Sequence, residues 1–264
     1  MRERYRALRG QQWSTKLVAT LPPATTSLVG WMEQHTRLIK QDRYSRVGLL
    51  QVDGHGCFLK LYLAKSTLQK AGFHLHIARG LRAFDAGRAL RQAGLAVPET
   101  RACLLVPEGV LLMTEALAGE GDLREIGLAD PDQINTAKHL RLAADVLSDL
   151  HLKGFKHGDC KWSNLLLYEG RFFLVDLERA KRIKIKAQGL ARWHLKQLED
   201  MARFTADAER FGVRSDVFAI FVERYCDSFS CDSELLLQSV KPHLEHIRRR
   251  HLRRYGVQHA TRLL

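Results

Sequence analysis

At 264 residues, with 45% hydrophobic and 27% charged content, the chain has the composition of a folded globular protein and can bury a sizeable core, which excludes a largely disordered chain. A formal charge of +13 and a pI near 9.8 imply an anionic partner, whether nucleic acid, anionic lipid or a phosphorylated substrate, and charge does not choose among them. Five cysteines (Cys57, Cys103, Cys160, Cys226, Cys231) form no CxxC pair and are odd in number, so a reducing cytoplasm fits better than a disulfide framework, and no run approaches the roughly 20 apolar residues that span a bilayer.

Residues 1–26 are basic and then Pro/Thr-rich, which predicts a loosely ordered arm, and the apolar run before Pro22-Pro23 is too short for a signal segment. Residues 36–62 are strand-like, with a hairpin signal at Asp53-Gly54-His55-Gly56 between the runs 47–52 and 57–62. Lys60 stands inside the apolar run Phe58-Leu59-Lys60-Leu61-Tyr62. A cation there is costly unless used, so it either grips nucleotide phosphates or, on an edge strand, faces water. A helix is predicted over 78–93, ended by Gly94 and Pro98. Strands follow over 100–105 and 110–114 around Pro107-Glu108-Gly109. The second runs into a glycine-bearing loop at 113–121, which divides a first lobe, 27–118, from a second, 119–264. Backbone near Glu115 is placed to meet an adenine edge, with no catalytic part for its side chain.

The second lobe opens with a helix over 132–153, whose Leu140, Ala144, Leu147 and Leu150 share one face, and Gly154 ends it. The next stretch, His157-Gly158-Asp159-Cys160-Lys161-Trp162-Ser163-Asn164, reads with Asp176 as a phosphoryl-transfer centre. Such chemistry needs a carboxylate for the acceptor hydroxyl, an amide oxygen for magnesium a few residues on, and a second carboxylate bridging magnesium to the nucleotide phosphates. Asp159, Asn164 and Asp176 have that order and spacing. Lys161 is placed to neutralise charge on the transferring group. His157 reads as a brace for the loop. Apolar runs 165–168 and 172–175 around Glu169-Gly170 predict a hairpin with Asn164 and Asp176 at its open end. Residues 179–186 alternate basic and apolar, suiting either a solvated strand face or an anionic acceptor, and helices are predicted over 191–208 and 215–225. The tail, 241–264, carries seven Lys/Arg against the single acid Glu245, which fits a solvated helix or an anionic leaflet, where each cation contributes about 1 kcal/mol of attraction.

Taken with Phe58-Leu59-Lys60, Arg82-Ala83-Phe84, Val175-Asp176-Leu177-Glu178-Arg179-Ala180, Arg192-Trp193 and Gly212-Val213-Arg214-Ser215-Asp216, these motifs make residues 36–225 resemble the bacterial lipopolysaccharide core kinases. The resemblance implies an α+β bilobal protein-kinase-like fold, with a small antiparallel-sheet N-lobe and a mainly helical C-lobe. It also implies ATP and Mg2+ as cofactors and a heptose or Kdo hydroxyl of the lipopolysaccharide inner core as acceptor. The protein is then expected in the cytoplasm, peripheral on the anionic inner-membrane surface. Carried over residue by residue, Asp159 is the base, Lys60 binds phosphates, and Asn164 and Asp176 hold magnesium. The pattern departs in three places. Arg82-Ala83-Phe84 lacks the helix acid expected to pair with Lys60, Asp85 lying about 200° round the helix. The loop near 40–46 has no glycine, and His157-Gly158-Asp159 has glycine where many kinases have arginine. A small-molecule or protein phosphotransferase and a catalytically silent scaffold of the same fold are the rival expectations. No base-reading motif supports nucleic acid.

Overall fold

A computed structural model of the chain describes residues 4–23, 25–64, 79–130, 132–183, 193–256 and 260–264, and counts and absences are of those residues. They fall into two compact units. Met1–Gln92, Val97–Ala118 and Asp176–Glu178 make the first, and Ala93–Ala96, Gly119–Val175 and Arg179–Leu264 the second.

The first unit is built on an antiparallel six-stranded sheet in the order β1-β5-β6-β4-β3-β2. The strands are β1 (Arg6–Arg9), β2 (Arg37–Asp42), β3 (Ser45–Val52), β4 (His55–Leu63), β5 (Thr100–Val106) and β6 (Gly109–Glu115). The hairpin joining β3 to β4 closes on two residues, Asp53 and Gly54, both with positive φ (52° and 74°), the tight turn whose twist matches paired strands. Successive side chains of β4 point to opposite faces. Leu59 and Leu61 pack with Leu111, Met113 and Leu104 against α1 (Gln11–Thr20) and α2 (Leu28–His35), which contribute Leu17, Leu28, Trp31 and Met32. Tyr62 packs on the other face with Val110, Leu112 and Cys103 against Leu81, Ala83 and Phe84 of α3 (Arg79–Gln92). Cover on both faces explains why these strands read as nearly continuous apolar runs.

The loosely ordered arm expected over residues 1–26 is corrected by this unit. β1 pairs with β5 (Arg6 opposite Leu105), and α1 fully buries Leu17. Gly10, at φ 69°, makes the bend between them, and a Cβ there would lie 2.0 Å from the Arg101 carbonyl oxygen. Trp13, Leu17 and Leu21 at four-residue spacing are the helical signal, masked in the sequence by the cations around them and by Pro22-Pro23.

The second unit is mainly helical. α4 (Leu123–Ala129) is capped by Asp122 and Glu125, α5 (Ile134–Leu152) buries Leu140, Ala144, Leu147 and Leu150 completely, and α6 (Leu195–Arg210), α7 (Ser215–Phe229) and α8 (Ser233–Tyr255) follow. Phe204 of α6 stacks on Phe221 of α7 at 4.2 Å. Two small antiparallel sheets carry the loops: β7 (Gly121–Asp122), β9 (Leu165–Tyr168) and β10 (Arg171–Leu174) form one, β8 (Phe155–Lys156) and β11 (Lys181–Arg182) the other. Glu169 and Gly170, again both at positive φ, close the β9–β10 hairpin expected from the sequence. The basic tail is largely helix, and one of its cations is internal. Arg248 binds Glu209 and Glu245, and the N–H groups of Thr261 and Leu263 return to Glu209. The expected alternating stretch past residue 183 and the start of the helix over 191–208, including Arg192, lie outside the described residues. Among the described residues no helix is long and apolar enough to cross a membrane, and no cysteine is disulfide-bonded.

Candidate active site

In the second unit, α6 holds the loop that follows β8. Nearly every side of this helix is buried, yet it carries Asp200, Arg203 and Asp207 along one stripe. Asp200 accepts the backbone N–H of His157 at 2.6 Å and of Gly158 at 2.7 Å, one on each oxygen. Asp207 accepts the N–H of Trp162 at 2.9 Å, while the Trp162 ring lies fully buried beside Phe204 and Phe211. The loop between these two grips presents Asp159.

The two buried acids titrate in opposite senses. Burial pushes Asp200 up, but His151 beside it and the Gly158 N–H outweigh burial and hold its carboxyl below the ordinary value. His151 Nε2 lies 3.5 Å from Asp200, and its Nδ1 meets the Tyr225 hydroxyl at 2.8 Å. For Asp207, burial prevails over Arg203 and the Trp162 N–H and raises the pKa.

Asp159 is about one-third exposed (32%), with Lys161 Nζ 3.4 Å from one oxygen and Arg203 Nε 3.8 Å from the other. Arg203 also lies 3.5 Å from Asp207. The Asp159 carbonyl accepts from the Lys161 N–H at 2.9 Å and from Asn164 Nδ2 at 2.8 Å. His157 is fully buried. Its Nδ1 accepts the Asp159 N–H at 3.3 Å, so its Nε2 carries the proton donated to the Val175 carbonyl at 3.0 Å. Both ring nitrogens are engaged, which suits a brace and excludes a base. Cys160 is buried too, and burial raises its thiol well above the usual value, so it is inert. Gly158 sits at φ 81°, where a Cβ would meet the Arg179 carbonyl oxygen at 2.8 Å. Gly158→Ala is therefore expected to lower stability by about 1–3 kcal/mol in urea unfolding. No change would show that the loop can shift.

In the first unit, Lys60 lies between Val47 and Leu112 in the interior of the sheet, which removes the edge-strand alternative. Its Nζ is 2.6 Å from Asp176 Oδ1. Asp85 instead bonds Arg9 at 3.0 Å. Arg79 makes a two-pronged bond to Glu178, at 3.0 and 2.7 Å. The β2–β3 turn lacks glycine because Asp42 closes it, accepting the Tyr44 N–H at 2.7 Å and the Ser45 hydroxyl at 3.1 Å. Glu115 is engaged by its neighbour strand. Its N–H donates to the Glu99 carbonyl at 2.8 Å and its carboxylate accepts the Glu99 N–H at 3.1 Å, so its own N–H is used against the residue that precedes β5.

Asn164 and Asp176 each carry an oxygen of the kind magnesium takes. Among the described residues no three His, Cys, Asp or Glu cluster around a metal position. Magnesium in such sites keeps waters and takes phosphate oxygens, so one carboxylate and one amide oxygen suffice from the protein. In the second unit Asn164 donates its Nδ2 to the Asp159 carbonyl, and in the first unit the Asp176 carboxylate meets Lys60. Sequence reasoning missed Asp200, Arg203, Asp207, Arg79 and the use of Glu178. The available signal was three charged residues in the stretch 200–208, whose other members are Met201, Ala202, Phe204, Thr205, Ala206 and Ala208, where burial is costly unless the charges are used.

An antiparallel sheet with a lysine-bearing inner strand, followed by a helical unit with a braced Asp/Asn loop, has the make-up of the protein-kinase-like class, and comparison with solved structures agrees. One described as "WaaP in complex with acyl carrier protein" is similar, with a TM-score of 0.56, 20% identity, and coverage of 88% of this chain and 94% of that one, a likeness of fold. The model of the "Lipopolysaccharide kinase (Kdo/WaaP) family" matches residues 29–220, and the chain belongs to that family. No curated protein sequence matches it. Family membership makes it a phosphotransferase.

Proposed function

We propose that the protein transfers the γ-phosphate of Mg-ATP to a heptose or Kdo hydroxyl of the lipopolysaccharide inner core. The observation that supports this most is the loop in which Asp159 is held partly exposed between Lys161 and Arg203, with its backbone clamped from α6. In this reading Asp159 takes the proton of the acceptor hydroxyl as its oxygen bonds to the γ-phosphorus and the bond to the ADP oxygen breaks. Lys161 offsets charge on the transferring group. Lys60 grips the phosphates, while Asn164 and Asp176 are the magnesium ligands. The metal, when bound, neutralises charge on the β- and γ-phosphates. Glu115 lies in the strand segment assigned to the adenine edge, through backbone other than its own N–H.

The reading extends to place. At the end of α8, Arg249, Arg250, Arg253 and Arg254 are exposed together with Leu252 and Tyr255, a basic helix end suited to the anionic cytoplasmic surface of the inner membrane, where the acceptor is built. The test is transfer of labelled γ-phosphate to lipopolysaccharide lacking core phosphates, beside a generic protein and an aminoglycoside. Label on the lipopolysaccharide alone is the expected result. Label on another acceptor overturns the substrate, and no label with Mg-ATP bound favours the silent scaffold. Asp176→Asn is expected to abolish the magnesium-dependent stabilisation by ATP, about 2.7 kcal/mol at a hundredfold excess over Kd, in a thermal-shift titration. Unchanged stabilisation would remove Asp176 from the metal.

A further inference from the structure

Four charged side chains of the first unit surround one aromatic ring. Lys60 Nζ and the Arg79 guanidinium lie 5.0 and 5.3 Å from the centre of the Tyr62 ring. Each cation is closed by an acid, Lys60 by Asp176 at 2.6 Å and Arg79 by both oxygens of Glu178. Burial and the adjacent Asp176 and Glu178 carboxylates raise the Tyr62 phenol well above its usual value, so the ring under both cations stays neutral.

The two acids flank Leu177, which is buried and lies close enough to Gly87 of α3 that a Cβ there would stand 3.4 Å from Leu177 Cδ1. Asp176 has φ 60°, in the left-handed region. The kinase pattern places an acid on the first-lobe helix for the strand lysine. Here the helix offers a cation, and the acid comes from the segment that carries Asp176. Lys60 keeps its charge and takes its acid from Asp176, while the helix cation takes Glu178.

We propose that Arg79 and Glu178 are a positioning pair that fixes residues 176–178 against α3 and so sets the Asp176 carboxylate beside Lys60. This rests on the reading of Lys60 and Asp176 as the Mg-ATP grip. Arg79 is about one-third exposed (36%), so the pair adds little global stability, and its two-pronged geometry serves orientation.

The test is amide hydrogen exchange over residues 176–179 in protein without nucleotide or magnesium, paired with steady-state kinetics. Arg79→Gln and Glu178→Gln are each expected to speed exchange there and raise KM for Mg-ATP, both about tenfold, with Tm nearly unchanged. The reversed double variant R79E/E178R is expected to recover both to within about threefold, since the pair is restored with its charges exchanged. Asp159→Asn is expected to leave the exchange as in the wild type, so failure of the phosphotransfer reading shows in the kinetics and failure of the positioning pair shows in the exchange. Wild-type exchange in both single variants, or a double variant no better than the singles, overturns the proposal.

Discussion

Asp159→Asn is expected to lower the rate of phosphate transfer about 10³-fold while Tm and Mg-ATP binding stay at wild-type values. The asparagine keeps the shape of the side chain and loses its charge and its ability to take a proton. Little else depends on the carboxylate. Its ionic neighbours Lys161 and Arg203 stand at 3.4 and 3.8 Å, and the contacts that hold Asn164 and the Lys161 N–H are made by the Asp159 carbonyl, which the substitution retains. Single-turnover measurement with saturating Mg-ATP and acceptor isolates the chemical step, and a rate within about tenfold of wild type would end the assignment of Asp159 as base.

Asp200→Ala is expected to cost about 3–5 kcal/mol of stability and to abolish turnover with it. The alanine leaves the N–H groups of His157 and Gly158 without an acceptor and takes the charge from beside His151, all in a buried place. The pH dependence has a definite sign. Folding lowers the Asp200 pKa, so its contribution is fully present above the ordinary carboxylate value of 3.8 and disappears as pH falls through the folded value. Asp207 runs the other way. Its raised pKa gives a contribution present below 3.8 and lost as pH rises through the folded value. Urea unfolding across the acid range should therefore show a wild-type loss toward low pH that the alanine variant lacks. A variant with unchanged midpoint at neutral pH would show that water or another group satisfies the loop.

The parts of the fold that were legible in the sequence are those whose signal is local. Asp53-Gly54 and Glu169-Gly170 announce two hairpins because residues at positive φ are needed there. Leu140, Ala144, Leu147 and Leu150 announce α5 through their spacing. Asp159, Asn164 and Asp176 are candidates singled out by their order along the chain. Their supports were not, because those are pairings across long sequence separations: Asp200 with residues 157 and 158, Asp207 with Trp162, Arg79 with Glu178. Nothing in a linear pattern says which buried acid meets which backbone N–H. The N-terminal arm failed for another reason. Its helix is short, with Trp13 and Leu17 its large apolar residues on the buried side, and that face is recognised only when the sheet beneath it is known.

The stripe on α6 sets a rule about chain length. Asp200 and Asp207 are seven residues apart, about 20° from perfect alignment on a helix, with Arg203 about 60° to the side. Inserting or deleting one residue between them would turn Asp207 by about 100° and carry it away from Trp162, however well the altered helix formed. The interval from residue 200 to 207 is thus expected to admit substitutions at Phe204 or Ala206 of matching size and no change in count. Insertions are expected to be accepted at the exposed turn after α7, where Ser230 leaves the helix in the left-handed conformation.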